Sequence, residues 1–194
     1  MKKRKFIGLC ASSFLTLAAG YGQEQTPSKT KVAPSKILIA YYSWGGNTRF
    51  AAEKIQEETG GTLFEIKPVE AYPSEYQACT QKAKKDIQAG FKPELLTKFD
   101  NIAQYDLVFI GTPNWWSTIA PPVATFASTY DLTGKKVIPF VTHGGGGLAR
   151  CADDLRKLCP NSTFLKSGVF PGNGIRGYKS AISDWVESII SIQN

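Results

Sequence analysis

The sequence predicts an α/β fold: a three-layer sandwich whose five-stranded parallel sheet has the order 2-1-3-4-5, with helices on both faces. Three observations predict it. Five short apolar runs alternate with five segments whose apolar residues recur at helical spacing, and that alternation builds a parallel sheet covered on both sides. Crossovers between parallel strands are right-handed, and the second strand has the alternating pattern of a sheet edge, which together favour this order. The unusual loops, 43–48, 111–117 and 142–147, all follow strands. In such sheets ligands bind beyond the carboxyl ends of the strands, where the order switches between strands one and three.

Before the domain comes a leader. Met1–Lys5 is basic, Phe6–Gly20 is apolar or small, and small residues flank Tyr21 ahead of Gln23. This is the pattern of a signal peptide over 1–22, too short for a comfortable membrane span. Lipid anchoring at Cys10 is disfavoured, because only four apolar or small residues precede it and Leu9 is bulky. Residues 23–35 are polar with two prolines and read as a flexible linker. Residues 36–194 then form one domain of a size that supports a proper core. Lys2, Lys3, Arg4 and Lys5 leave with the leader, so the 23 basic residues fall to 19 against 16 acidic, and the formal charge drops from +7 to +3. The basic balance is therefore mostly a targeting signal and no nucleic-acid footprint. The expected location is periplasmic or extracellular, with no integral membrane segment after cleavage.

The elements follow in order. Ile37–Tyr42 is a buried strand, and a helix from Thr48 to Glu58 turns Phe50 or Ala51, Ala52 and Ile55 inward until Thr59-Gly60-Gly61 stops it. Thr62–Lys67 alternates as an edge strand and Pro68 ends it. Tyr76, Cys79, Thr80, Ala83 and Ile87 mark a second helix, and a looser connection runs from Ala89 to Gln104. Tyr105–Ile110 is a continuous apolar strand. Pro121-Pro122 opens a third helix with Val123, Phe126, Ala127 and Tyr130 on one face. Lys136–Thr142 is the fourth strand, where Pro139 predicts a bulge because proline cannot donate to a central ladder. Leu148, Cys151, Ala152, Leu155, Leu158 and Cys159 make a fourth helical stripe, Thr163–Phe170 a fifth strand, and Ile182, Trp185, Val186, Ile189 and Ile190 a closing amphipathic helix. Cys79, Cys151 and Cys159 lie on these apolar stripes, which favours buried free thiols; a disulfide is the alternative in an exported protein.

The loop after the first strand, Ser43-Trp44-Gly45-Gly46-Asn47-Thr48, carries the chemistry. The first N–H groups of a helix have no partner within it and attract anions, phosphate above all. Gly45 and Gly46 let the backbone turn and approach an anion, while Ser43, Asn47 and Thr48 can add donors. The loop Gly111-Thr112-Pro113-Asn114-Trp115-Trp116 supplies aromatic surface, and Thr142-His143-Gly144-Gly145 with two further glycines supplies flexible N–H groups. One tryptophan is expected to cover the sheet end and one to be available to a ligand. His143 reads first as a solvated loop residue, and beside the crevice it could hydrogen-bond a ligand. Lys82, Lys84 and Lys85 read as a solvated helix face, and Arg49 as solvent-facing from the first helical turn, from where it could also reach a phosphate. The chain has no Gly-x-Ser-x-Gly elbow, no His/Cys pair at metal spacing and no Gly-x-x-x-x-Gly-Lys-Ser/Thr loop, so hydrolase, zinc and nucleotide-triphosphate chemistry are set aside and no metal is expected.

On Ser43, Gly46, Asn47 and Thr48, and on Gly-Thr-Pro-Asn-Trp-Trp, the sequence resembles the flavodoxin family over Lys36–Ile192. Flavodoxin is itself the known example of the 2-1-3-4-5 order with FMN at the switch point, so pairing that order with FMN is part of the resemblance. The family carries Ser/Thr-x-Thr-Gly-x-Thr here, and Gly45 replaces the middle threonine, removing one hydroxyl. The resemblance implies that 112–116 contacts the isoalloxazine ring and 142–145 lines its other edge. FMN would offer a phosphate to the neutral 43–48 loop and a flat ring to Trp115 or Trp116. The expected function is non-covalent FMN binding with electron transfer to a redox partner protein, or reduction of a small quinone-type acceptor. The alternative is an exported flavodoxin-shaped binding module without flavin chemistry. The slightly basic mature chain departs from the acidic character of electron-carrier flavodoxins and leaves room for a reductase.

Overall fold

The structure, a computed structural model, describes residue 33 and residues 36–192. Apart from residue 33, the expected signal peptide and linker lie outside the described residues. The strands are β1 (Ile37–Tyr41), β2 (Thr62–Glu65), β3 (Leu107–Trp115), β4 (Thr118–Ile119), β5 (Lys136–His143), β6 (Thr163–Phe164) and β7 (Gly168–Pro171). The α-helices are α1 (Asn47–Thr59), α2 (Tyr76–Gln88), α3 (Pro121–Thr129), α4 (Cys151–Leu158) and α5 (Lys179–Ile192). The parallel ladder runs β2-β1-β3-β5, and β6 and β7 both pair with the far side of β5. With β6 and β7 as two halves of the expected fifth strand, this is the order 2-1-3-4-5.

Alternate residues of a strand face opposite sides, and the buried strands here serve two cores. Leu38, Ala40, Val108, Ile110, Val137 and Val141 pack with Cys79 and Ala83 of α2, Val123 and Phe126 of α3, and Cys151 and Leu155 of α4. Ile37, Ile39, Leu107, Phe109, Ile138 and Phe140 pack with Phe50, Ala51 and Ile55 of α1 and with Ile182, Trp185, Val186 and Ile189 of α5. Each of these large side chains contributes about 1.5–3 kcal/mol by burial. Truncating one, as in Phe109→Ala, costs about 3–5 kcal/mol once the cavity is counted. Cys79, Cys151 and Cys159 are free and buried, as their helical stripes predict.

Several boundaries differ from the sequence reading, each for a physical reason. The third strand continues five residues past Ile110. Gly111 is no turn residue: a Cβ there would meet Cζ of Phe140 at 2.2 Å, so the neighbouring ring occupies its side-chain space. Pro139 causes no bulge, because Ile138, Pro139 and Phe140 pair in unbroken register with Phe109, Ile110 and Gly111. Val137 accepts from the Leu165 N–H on the opposite side of β5 at 2.9 Å, and Pro139, two residues on, presents its backbone the same way. There the fifth strand is interrupted between β6 and β7, so the missing N–H falls in a gap. The second helix turns Cys79, Ala83 and Asp86 inward and leaves Tyr76 at 68% exposure.

Candidate functional site

A cleft of about 540 Å³ opens at the carboxyl ends of β1, β3, β5 and β7. Of the residues singled out in the sequence, Ser43, Trp44, Gly45, Asn47, Thr48, Pro113, Asn114, Trp115, Trp116, Thr142, His143 and Gly144 line it. Gly46, Thr112 and Gly145 do not. Gly46 caps α1 at φ +87°, and its N–H donates to Ser43 Oγ at 3.1 Å. Thr112 is fully buried; its hydroxyl donates to the Pro113 carbonyl at 2.9 Å and accepts from the Ala120 N–H at 3.0 Å. It positions the strand end and does not itself line the cleft. Gly145, at φ +133°, donates its N–H to His143 Nδ1 at 3.1 Å.

The mouth of α1 has the features an anion site needs. No side chain caps it and no acid lies in its first turn, so its leading N–H groups and positive dipole end face the cleft without a competing carboxylate. A Cβ built on Gly45, Gly144 or Gly145 would meet nothing within 4 Å, so the backbone there borders open space. The Thr48 hydroxyl, expected as a donor to the anion, is hydrogen-bonded to the Thr142 hydroxyl at 2.8 Å, tying α1 to the end of β5. Arg49 is held away by an ion pair with Glu65. Among the described residues, no Asp, Glu, Lys or Arg lines the cleft.

The two tryptophans divide their work. Trp115 packs edge-on against Tyr72 and Tyr42, with ring centroids 4.8 and 5.5 Å away, and presents its other side to the cleft. Behind it the Tyr72 hydroxyl donates to Asp86 at 2.8 Å, and Lys82 pairs with the same carboxylate at 3.2 Å. Burial, then this hydrogen bond, pushes the Tyr72 phenol above its usual range. Trp116 is half exposed and reaches α2, where its indole N–H donates to the Thr80 carbonyl at 3.0 Å and Lys84 lies 4.8 Å above its ring. Trp116 and Ser117 form the two-residue turn between β3 and β4, both with positive φ, at 53° and 67°. Trp44 donates from its indole to the Pro73 carbonyl at 2.8 Å and sits beside Tyr76.

Sequence reasoning missed the contribution of α2 (Tyr76, Cys79, Thr80, Ala83) and of the turn after β7 (Gly172, Asn173). Burial, then the Glu75 charge, pushes the Cys79 thiol up to about 11, so it lines the cleft as an uncharged group. Gly172 was signalled only by its place after a strand. A Cβ there would meet Asn47 Nδ2 at 2.7 Å, so a side chain at this position would make the Asn47 amide shift. Asn114 joins two loops: its Nδ2 donates to the Gly147 carbonyl at 2.8 Å and its Oδ1 accepts from the Ser117 N–H at 3.0 Å.

Comparison with known proteins agrees with this geometry. The flavodoxin family profile matches residues 36–189. A candidate flavoprotein from Bacteroides eggerthii DSM 20697 is 33% identical, with 81% of this chain and 98% of that chain covered and a TM-score of 0.69. One from Bacteroides uniformis ATCC 8492 is 27% identical, covering 79% and 98%, with a TM-score of 0.70. A flavoprotein from Lactobacillus acidophilus NCFM, solved in complex with FMN, is 25% identical, covering 75% and 99%, with a TM-score of 0.62. No curated protein matches the chain. A profile spanning nearly the whole described domain, a parallel sheet in the expected order and an anion-ready loop after its first strand make the chain a member of the flavodoxin family.

Proposed function

We propose that this protein binds FMN non-covalently in the cleft and passes electrons to a partner protein or to a small quinone-type acceptor. The observation that carries the reading is the uncharged cradle at the mouth of α1, where backbone N–H groups would meet an anion with no charged side chain in the way. The Lactobacillus relative in complex with FMN supports it. When bound, FMN supplies one- and two-electron chemistry. The amides of Gly45, Asn47 and Thr48 and the Ser43 hydroxyl would hold the phosphate, and Trp115 or Trp116 would cover the ring. The leader supports export of the domain. A binding module without flavin chemistry is the second reading, favoured by Gly45, which stands where the family has a hydroxyl.

Titration with FMN and with riboflavin tests both. FMN is expected to bind the more tightly of the two, and Gly46→Val to abolish that preference while sparing riboflavin, because valine does not tolerate φ +87° at the helix mouth. Equal losses for both ligands would remove the phosphate role from the loop. A protein that ignores both flavins would leave the binding-module reading.

A further inference from the structure

We propose that His143 is a hydrogen-bond donor of locked tautomer: the Gly145 amide holds Nδ1 as an acceptor, so Nε2–H is aimed as a donor at the acceptor edge of the flavin ring. The proposal rests on the FMN reading for its ligand and on the unliganded geometry for its lock. His143 is the last residue of β5, paired in register with Pro171 of β7, and its carbonyl accepts from the Gly172 N–H at 2.7 Å. The backbone is therefore held from the β7 side. On the side-chain side, the Gly145 N–H donates to Nδ1 at 3.1 Å. A neutral imidazole has one N–H and one acceptor nitrogen, so a ring that accepts at Nδ1 carries its proton on Nε2. The turn that brings the amide round needs φ +133° at Gly145, which L side chains rarely adopt.

Several other polar groups around the cleft are already committed. The Trp44 indole donates to Pro73, the Trp116 indole to Thr80, and the Asn114 amide to Gly147. Thr48 and Thr142 hold each other. Between these, the lock gives His143 a donor of one direction on a wall without charged side chains. Oxygen and imine nitrogen atoms on a flat heteroaromatic edge are acceptors that such a donor recognises.

Three variants separate aiming from loop-holding. In His143→Asn, Oδ1 can accept from the N–H two residues on, as in an Asx turn, while Nδ2 donates to the cleft. In His143→Asp the turn is kept but no donor remains. His143→Ala loses both. Nitrogen-15 NMR of the unliganded wild-type protein, with the imidazole neutral, is expected to show the Nε2–H tautomer. FMN dissociation constants are expected to rise about three- to tenfold for His143→Ala, the loss of one hydrogen bond. His143→Asn should stay within about threefold of wild type, and His143→Asp should bind no better than His143→Ala. An Nδ1–H tautomer overturns the proposal, as does His143→Asp binding like His143→Asn, which would make the residue a loop-holder only. A wild-type protein that binds no FMN overturns the flavin reading instead, and the tautomer of the unliganded protein still decides the lock.

Discussion

Asn114 ties the hairpin after β3 to the glycine loop after β5, so its removal should loosen both. Asn114→Ala deletes the bond to the Gly147 carbonyl and the bond from the Ser117 N–H. The first bond is partly buried and the second exposed; at about 0.5–1.5 kcal/mol net for each, the variant should lose about 1–3 kcal/mol. For a domain of this size each kcal/mol moves Tm by about 2–4 °C, giving a fall of roughly 2–12 °C in a circular-dichroism melt. Gly146 provides a sharper test. A Cβ added there would lie 3.1 Å from Asn114 Nδ2, so Gly146→Ala presses on the same amide. In wild type that substitution should destabilise; in the Asn114→Ala background the obstruction is gone and the cost should shrink. The double-mutant cycle should show a coupling of about 0.5 kcal/mol or more, in the range for residues that share a contact. Energies that add within about 0.3 kcal/mol, or an Asn114→Ala melt superimposable on wild type, would refute the idea that this amide organises the two loops.

Ser117→Gly should stabilise the protein by about 0.5–1 kcal/mol. The left-handed conformation at φ 67° costs an L residue about 1–2 kcal/mol, of which glycine's extra chain entropy takes back about 0.5–1; a melt at or below the wild-type Tm would argue against strain at the hairpin tip. Burial pushes the thiols of Cys79, Cys151 and Cys159 up to about 11, 12 and 11, so in protein lacking residues 1–22 a disulfide-exchange reagent near pH 8 should label none of them until denaturant is added. A cysteine that reacts rapidly in the native protein would contradict the buried placement.

Periodicity carries most of the fold because each element must bury one face. Ile182, Trp185, Val186, Ile189 and Ile190 read as one stripe and are one. What was not legible depended on neighbours distant in sequence. Gly-Thr-Pro-Asn looks like a turn, yet it continues β3 because the Phe140 ring needs the space beside Gly111 and Ala120 offers an N–H to Thr112. Thr163–Phe170 looks like one strand, but the Lys166 carbonyl turns aside to accept the Trp185 indole N–H at 3.2 Å, and Gly168 leaves room for that indole. Within the site, the three loops were visible from composition and position. The direction of each polar side chain was not: Thr48 and Thr142 find each other across 94 residues, and no local pattern announces such a pair.

Those cross-links also explain how a cleft made almost entirely of loops keeps a shape. Thr48 and Thr142 join α1 to β5; Asn114 joins the hairpin to the glycine loop; the Trp116 indole joins the hairpin to α2; and the Gly172 N–H joins the turn after β7 to the end of β5. Every loop that borders the cleft is thereby held by another loop or helix, in addition to the strand it leaves. Each bond contributes only about 1 kcal/mol, too little to fix a wall alone. Linked through β5 and the hairpin, each bond limits the freedom the next would otherwise have to remove, so the network is worth more than its separate members. The donors at the mouth of α1 and at His143 are then in place before any ligand arrives, and binding need not meet the entropy of ordering them. Loosening any one link should therefore weaken ligand binding even where the altered side chain never touches the ligand.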